Sequence, residues 1–301
     1  MEYLSASGIA ERWGISERSV RNYCAQGRVP GAFMTGKTWN IPADAEKPTR
    51  ANGNARAKKN PLLDRLLEEK SGGISGGIYH KLQIELTYNS NHIEGSRLSK
   101  DQTRLIFETS TVGVEGEAMN VDDIVETANH FRCIDYCIDH AQDALSESML
   151  KELHRILKSG TSDSARPWFA VGAYKRLPNE VAGMKTAAPE QVRNEISRLL
   201  ESYEPLKPHT FEQILLFHVG FERIHPFQDG NGRVGRLVLL KECLANGIVP
   251  FVISDDMKLF YYRGLAEWDD EKGYLTDTCL AAQDEFKQWL DYFRIPYETE
   301  M

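Results

Sequence analysis

The chain has 301 residues, 41% of them hydrophobic, and a formal charge of −8. That is enough chain for a substantial core in one or two domains, and no apolar run approaches the roughly 20 residues of a membrane span. The N-terminus, MEYLSASGIAERWG, has neither a basic n-region nor an apolar h-region, so no signal peptide is expected. Five cysteines, an odd number with no CxxC pair, point to reduced thiols in a cytoplasmic protein; Cys133 and Cys137 lie one helical turn apart, but nothing completes a zinc set. Residues 1–59 hold ten Lys/Arg against five Asp/Glu, a balance of +5 that leaves −13 for the rest. The acidic body argues against general nucleic-acid binding, and the basic head does not.

In chain order, residues 4–28 carry a helix–turn–helix pattern. Ile9, Ala10 and Trp13 mark one apolar face and Gly14 breaks it; Ser16 is the next N-cap, and Val20 and Tyr23 form the inner face of a second helix. Arg18, Arg21 and Asn22 would point outward, as residues that contact phosphates and base edges do. GRVPGAFMTGKTWNIP then predicts two short strands around Gly36-Lys37. Residues 1–45 resemble the winged helix–turn–helix of MerR and excisionase-type proteins, which implies DNA as a partner; a helical module for protein contacts is the alternative. Residues 46–60, almost without apolar content, read as a linker.

Residues 61–118 form a helical segment. PLLDRLLEEK starts at a proline, SGGISGG interrupts it, and a second helix runs through Ile84, Leu86 and Ile93 to a stop at Gly95. Ser90 and Glu94 are four apart and share a face, which by itself describes a solvated helix end. From residue 119 to 301, helices are predicted over 121–142, 146–158 and 190–204, with His130, His140 and His154 as packed or solvated framework. Residues 161–192 lose the helical period; Val171, Ala173 and Val181 alternate with polar neighbours between Gly172, Pro178 and Gly183, as in a β-hairpin. In the tail, Tyr261 and Tyr262 lie in one helix, and Leu280, Phe286, Trp289 and Leu290 are expected in the core of another.

The stretch His225-Pro-Phe-Gln-Asp-Gly-Asn-Gly-Arg-Val-Gly-Arg236 lies between two helices too apolar to be exposed, FEQILLFHVGFERI and LVLLKECL. Gly230, Asn231 and Gly232 offer backbone N–H groups to an anion and open a helix whose N-terminus favours negative charge. Arg233 and Arg236 share a face and can reach the same anion. Asp229 is a hard ligand suited to Mg²⁺ alongside substrate phosphates. His225 is the side chain of the loop able to take a proton near neutral pH. Together these groups describe transfer from a nucleoside triphosphate to a hydroxyl, rather than a Gly-Asn turn capping a core helix.

The same residues resemble the Fic-domain signature His-x-Phe-x-(Asp/Glu)-Gly-Asn-Gly-Arg-x-x-Arg, every fixed position of which is filled by His225, Phe227, Asp229, Gly230, Asn231, Gly232, Arg233 and Arg236. Most Fic proteins are AMP-transferases. The resemblance implies ATP as co-substrate, His225 as base toward a Ser, Thr or Tyr hydroxyl of a target protein, Asp229 on Mg²⁺, and Gly230, Asn231, Gly232 and Arg233 around the phosphates. Arg236 would meet the γ-phosphate, Tyr262 or Tyr261 the adenosine, and Phe227 would anchor the loop. Ser90-x-x-x-Glu94-Gly95 resembles the inhibitory motif of the family, in which the glutamate occupies the guanidinium of Arg236. The hairpin, about 171–186, would be the flap on which a target docks by edge pairing. The expected architecture is therefore mainly α: a helical Fic core with a β-hairpin flap, preceded by a small winged helix–turn–helix. The expected function is protein AMPylation, autoinhibited in cis and open to self-modification and homodimerisation. The alternatives are removal of AMP, transfer of another nucleotide, or a DNA-binding regulator whose core senses nucleotide.

Overall fold

The computed structural model describes residues 3–25, 29–36, 38–47, 60–113, 118–181 and 184–297. Most of the expected linker, Lys37 of the expected strand turn, and residues 182–183 of the expected flap lie outside the described residues. The chain divides into two compact units, within residues 1–58 and 59–301.

The first unit contains β1 (Tyr3–Leu4), α1 (Ala6–Trp13), α2 (Glu17–Ala25), β2 (Phe33–Thr35) and β3 (Thr38–Pro42). Ser5 caps α1 by accepting from Gly8 N, and Gly14 ends it at φ 63°, a left-handed conformation that costs glycine little. The strands form an antiparallel sheet in the order β1-β3-β2. Its edge strand β1, pairing Tyr3 with Pro42 and Leu4 with Ile41, is an addition to the two strands the sequence predicts. Two residues are too few for an alternation to register. Ile9, Val20 and Ile41 are buried beneath, whereas Arg18, Arg21 and Asn22 are exposed on α2.

The second unit is mainly helical: α3 (Pro61–Gly72), α4 (Ile78–Ile93), α5 (Lys100–Thr109), α6 (Val121–Asp139), α7 (Glu147–Lys158), α8 (Pro189–Tyr203), α9 (Phe211–Ile224), α10 (Asn231–Asn246), α11 (Lys258–Ala266) and α12 (Gly273–Tyr292). Its sheet is one two-stranded antiparallel hairpin, β4 (Glu180–Val181) with β5 (Met184–Lys185). Helix α10 is buried around most of its circumference, with Val234, Leu237, Val238, Leu239, Leu240, Cys243 and Leu244 all inside. Leu66 of α3, Leu82 of α4, Ile134 of α6, Leu153 of α7 and Phe221 of α9 are fully buried in the same core. Burial of side chains of this size stabilises by about 1.5–3 kcal/mol each. All five cysteines are free and buried, and among the described residues no helix is long and apolar enough to cross a membrane.

Two expectations are corrected. The alternation at Val171 and Ala173 does not make a strand, because the N–H groups here are spent elsewhere: Gly172 N donates to His154 Nδ1 at 3.0 Å, Ala173 N to Ala170 O at 3.2 Å and Lys175 N to Pro226 O at 2.9 Å. Leu280 is 39% exposed, on the outer side of α12 from Phe286 and Leu290, which are buried as expected.

Candidate functional site

Helix α9 begins with a reciprocal cap, Thr210 with Gln213, and ends at His225, whose φ of 51° turns the chain out of the helix. The loop that follows is held by its own side chains. Phe227 is fully buried and stacks on His154 of α7, with ring centroids 4.1 Å apart and planes within 7°. Asn231 bonds back to Phe227 twice, Oδ1 accepting from its N–H at 2.7 Å and Nδ2 donating to its carbonyl at 2.8 Å. Its side chain thus braces the loop, so only its backbone can serve an anion. Gly230 sits at φ 80° as the N-cap of α10, and the first bond of that helix is Val234 N to Gly230 O. The N–H groups of residues 231–233 have no helical partner, as at any helix start.

Two charged networks flank this N-terminus. In the first, Asp229 Oδ2 accepts from Lys158 Nζ at 2.7 Å and from Arg233 Nη2 at 3.2 Å. Glu126 of α6 bonds to both cations, and Asp163 approaches Lys158 at 3.3 Å. Burial opposes ionisation of Asp229, but Arg233 and Lys158 more than offset it and hold the carboxyl well below its ordinary range. In the second, Arg236 donates from Nε to Ser90 Oγ at 3.0 Å, and from Nη2 to Ser90 O at 2.9 Å and Glu94 Oε1 at 2.7 Å. Glu94 caps the C-terminus of α4, followed by Gly95 at φ 97°. A methyl group on Gly232 would collide with Glu94 Oε1, so the glutamate lies directly over the first turn of α10.

His225 is half-buried; burial, then the charge of Lys175, lowers its pKa to about 4, so its ring is neutral at pH 7. Nδ1 is buried, with the backbone of Glu222 beside the ring, so Nε2 is the nitrogen left to exchange a proton. Beneath the loop, Glu222 is pushed up to about 8 by burial despite Arg236 nearby, so it is neutral at pH 7. Tyr262 on α11 is exposed, and burial of part of its ring with Glu94 nearby raises its hydroxyl to about 12. Tyr261 instead turns inward, its hydroxyl 2.6 Å from His218 Nε2.

The structure therefore brings Ser90, Glu94, Gly95, His225, Asp229, Gly230, Asn231, Gly232, Arg233 and Arg236 around one helix terminus, with Tyr262 facing Glu94. Sequence reasoning missed Glu126 and Lys158, which lie far from the signature and look like ordinary surface charges of amphipathic helices. Among the described residues no group of three or more His, Cys, Asp or Glu is placed to hold a metal ion. A metal here would need ligands from a substrate.

Residues 144–243, which include this loop and the helices that hold it, match the Fic/DOC family. Part of the chain is similar to protein adenylyltransferases. It is 26% identical over 181 residues to the protein adenylyltransferase Fic of Nematostella vectensis, covering 59% of this chain and 41% of that protein. It is 27% identical over 185 residues to the protein adenylyltransferase fic-1 of Caenorhabditis elegans, covering 59% of this chain and 35% of that protein. The chain thus spans between about a third and two fifths of the length of the curated relatives it matches. Among solved structures, a Fic domain containing signaling protein from Bacteroides thetaiotaomicron superposes with a TM-score of 0.57 at 28% identity, covering 76% of this chain and 90% of that one. Residues 134–508 of C. elegans Fic-1 share the fold with a TM-score of 0.56 at 19% identity, covering 77% of this chain and 72% of that one.

Proposed function

We propose that this chain is a protein adenylyltransferase that moves AMP from ATP to a Ser, Thr or Tyr hydroxyl of a protein, itself included, and that Glu94 holds the activity low. The observation that carries the reading is the Arg236–Glu94 pair at 2.7 Å, set over a helix N-terminus whose backbone donors have no helical partner. The N–H groups of 231–233 and the guanidinium of Arg233 suit the phosphate chain of ATP. Arg236, once released from Glu94, suits the γ-phosphate. Neutral His225 takes the hydroxyl proton on Nε2 as the oxygen attacks the α-phosphorus. The P–O bond to the β-phosphate breaks, AMP remains on the protein and pyrophosphate leaves with the bond electrons. Asp229 is ionised and half-exposed, with Oδ2 already claimed by Lys158 and Arg233, which fits a Mg²⁺ ion that draws its other ligands from phosphates and water. Bound there, Mg²⁺ would neutralise charge on the phosphates. The short β4–β5 hairpin beside the loop is the proposed flap for a target backbone, and the exposed Arg18, Arg21 and Asn22 of α2 are the proposed contacts of a winged helix–turn–helix with DNA.

A charge-assisted hydrogen bond to a buried guanidinium contributes about 1.5–3 kcal/mol, or a factor of ten to over a hundred. Glu94→Gly should therefore raise self-modification by that range. Intact mass after incubation with ATP and Mg²⁺ tests this. An AMP-sized gain is expected in Glu94→Gly and not in Glu94→Gly/His225→Ala. Loss of an activity in Glu94→Gly would instead indicate hydrolysis of AMP-protein with Glu94 positioning water. No gain with any nucleotide would remove the transferase reading and leave nucleotide sensing by a DNA-binding regulator.

A further inference from the structure

Lys175 lies between Arg155-packed Gly172 and the hairpin and is only 3% exposed. Its Nζ donates to Asn179 Oδ1 at 2.6 Å, Thr186 Oγ1 at 2.7 Å and Ile224 O at 3.4 Å. These acceptors are all uncharged, and among the described residues no carboxylate lies within ion-pair distance of it. Its backbone N–H bonds to Pro226 O at 2.9 Å, Asn179 Nδ2 donates to Phe227 O at 3.0 Å, and Leu177 N donates to Gln228 Oε1 at 3.2 Å. Lys175 and Asn179, in the segment leading into β4, are thus bound to carbonyls of residues 224, 226 and 227, which bracket His225, and Thr186, the residue following β5, is joined to that loop through its bonds to Lys175 and Asn179.

We propose that Lys175 is a positioning residue that ties the root of the β4–β5 hairpin to the backbone on both sides of His225 and sets the field at the imidazole. The role rests on the transferase reading, because it gives the spacing between a docked hydroxyl and its base a physical cause. A neutral side chain could make the same bridge to neutral acceptors. Burying an ammonium without a counter-ion is costly, so the charge itself calls for a function. The groups facing the His225 ring are Lys175 from this segment, the Glu222 backbone from α9, Glu94 from the end of α4 and Asp229 from the loop. Of these, Lys175 is the cation, and it disfavours protonation of the ring; Glu195 of α8 is the more distant anion acting on Lys175.

The test is NMR titration of the full chain labelled with ¹³C-histidine, with His225 assigned by His225→Ala, together with amide exchange at Glu180, Val181, Met184 and Lys185. Lys175→Met should raise the His225 midpoint by about one pH unit, a tenfold rise in proton affinity, and accelerate exchange in the hairpin. Lys175→Arg should restore the midpoint. Thr186→Val keeps the charge and removes one arm of the tie, so it should accelerate hairpin exchange without moving the midpoint, and it serves if Lys175→Met fails to fold. In the Glu94→Gly background Lys175→Met and Thr186→Val should each slow self-modification at least fivefold while the Kd for ATP is unchanged. An unmoved midpoint in folded Lys175→Met, or unchanged exchange in Thr186→Val, would overturn the proposal. An inert Glu94→Gly protein with the midpoint still shifted would support the tie and overturn the transferase reading.

Discussion

Lys158→Met is the substitution that most directly measures what holds the loop from His225 to Arg236 in place. The lysine side chain is 2% exposed, and its three carboxylate partners differ in exposure: Glu126 at 12%, Asp163 at 25% and Asp229 at 49%. Removing one partner of a buried ion pair costs about 3–5 kcal/mol when the other charge is left uncompensated. Here the loss is partly relieved. Arg233 still bonds Glu126 and Asp229, Asp163 still has Arg166 at 3.4 Å, and Asp229 reaches water. Methionine keeps an unbranched side chain of similar length but loses the ammonium that lies 5.4 Å from the centre of the Phe169 ring. The expected cost is therefore about 2–3 kcal/mol, most of it from Glu126, the least exposed of the three carboxylates, which loses one of its two cationic partners. Urea unfolding at pH 7 in low and high salt gives the value, which should persist in salt because buried pairs are poorly screened. Adding Glu126→Gln should recover part of the loss, so the double variant falls short of the sum of the singles. A cost below about 1 kcal/mol that vanishes in salt would mean the network behaves as exposed pairs do, and the reasoning would fail.

Two further outcomes follow from the same geometry. Phe227→Ala empties a fully buried site against His154, so it should destabilise by about 3–5 kcal/mol and abolish self-modification in the Glu94→Gly background even below the melting transition, read by calorimetry and intact mass. His154 and His218 are both held neutral by burial, down to about 3, whereas an unfolded histidine titrates near 6.5. Each therefore contributes stability that is complete above pH 6.5 and is lost as the pH falls toward 3, with a slope approaching about 1.4 kcal/mol per pH unit per group. Denaturant unfolding at pH 7, 6 and 5 should show this decline; His218→Asn should flatten it, and an unchanged slope in that variant would refute the assignment.

Much of the candidate site was legible because it is contiguous. The twelve residues from His225 to Arg236 make their own scaffold, the Asn231–Phe227 bonds spanning four positions, so spacing alone predicts the geometry. Ser90 and Glu94 were readable for the same reason: one helical turn puts them on one face, although only packing of α4 beside α10 makes Arg236 their partner. Helix α5 is announced by its capping box, Ser99 with Gln102, a local signal present in the text that the sequence reading did not use. The remainder was set by tertiary structure. Lys158, Glu126 and Lys175 have the composition of solvated surface positions, and their burial depends on helices and loops brought together over tens of residues. Residues 171–179 alternate like a strand but spend their hydrogen bonds on a local turn, on His154 and on the His225 loop, and Leu280 follows an apolar pattern yet faces outward. Period and capping are properties of neighbours along the chain, so sequence determines them. Which charge meets which across helices depends on how their faces pack, and only the folded chain decides that.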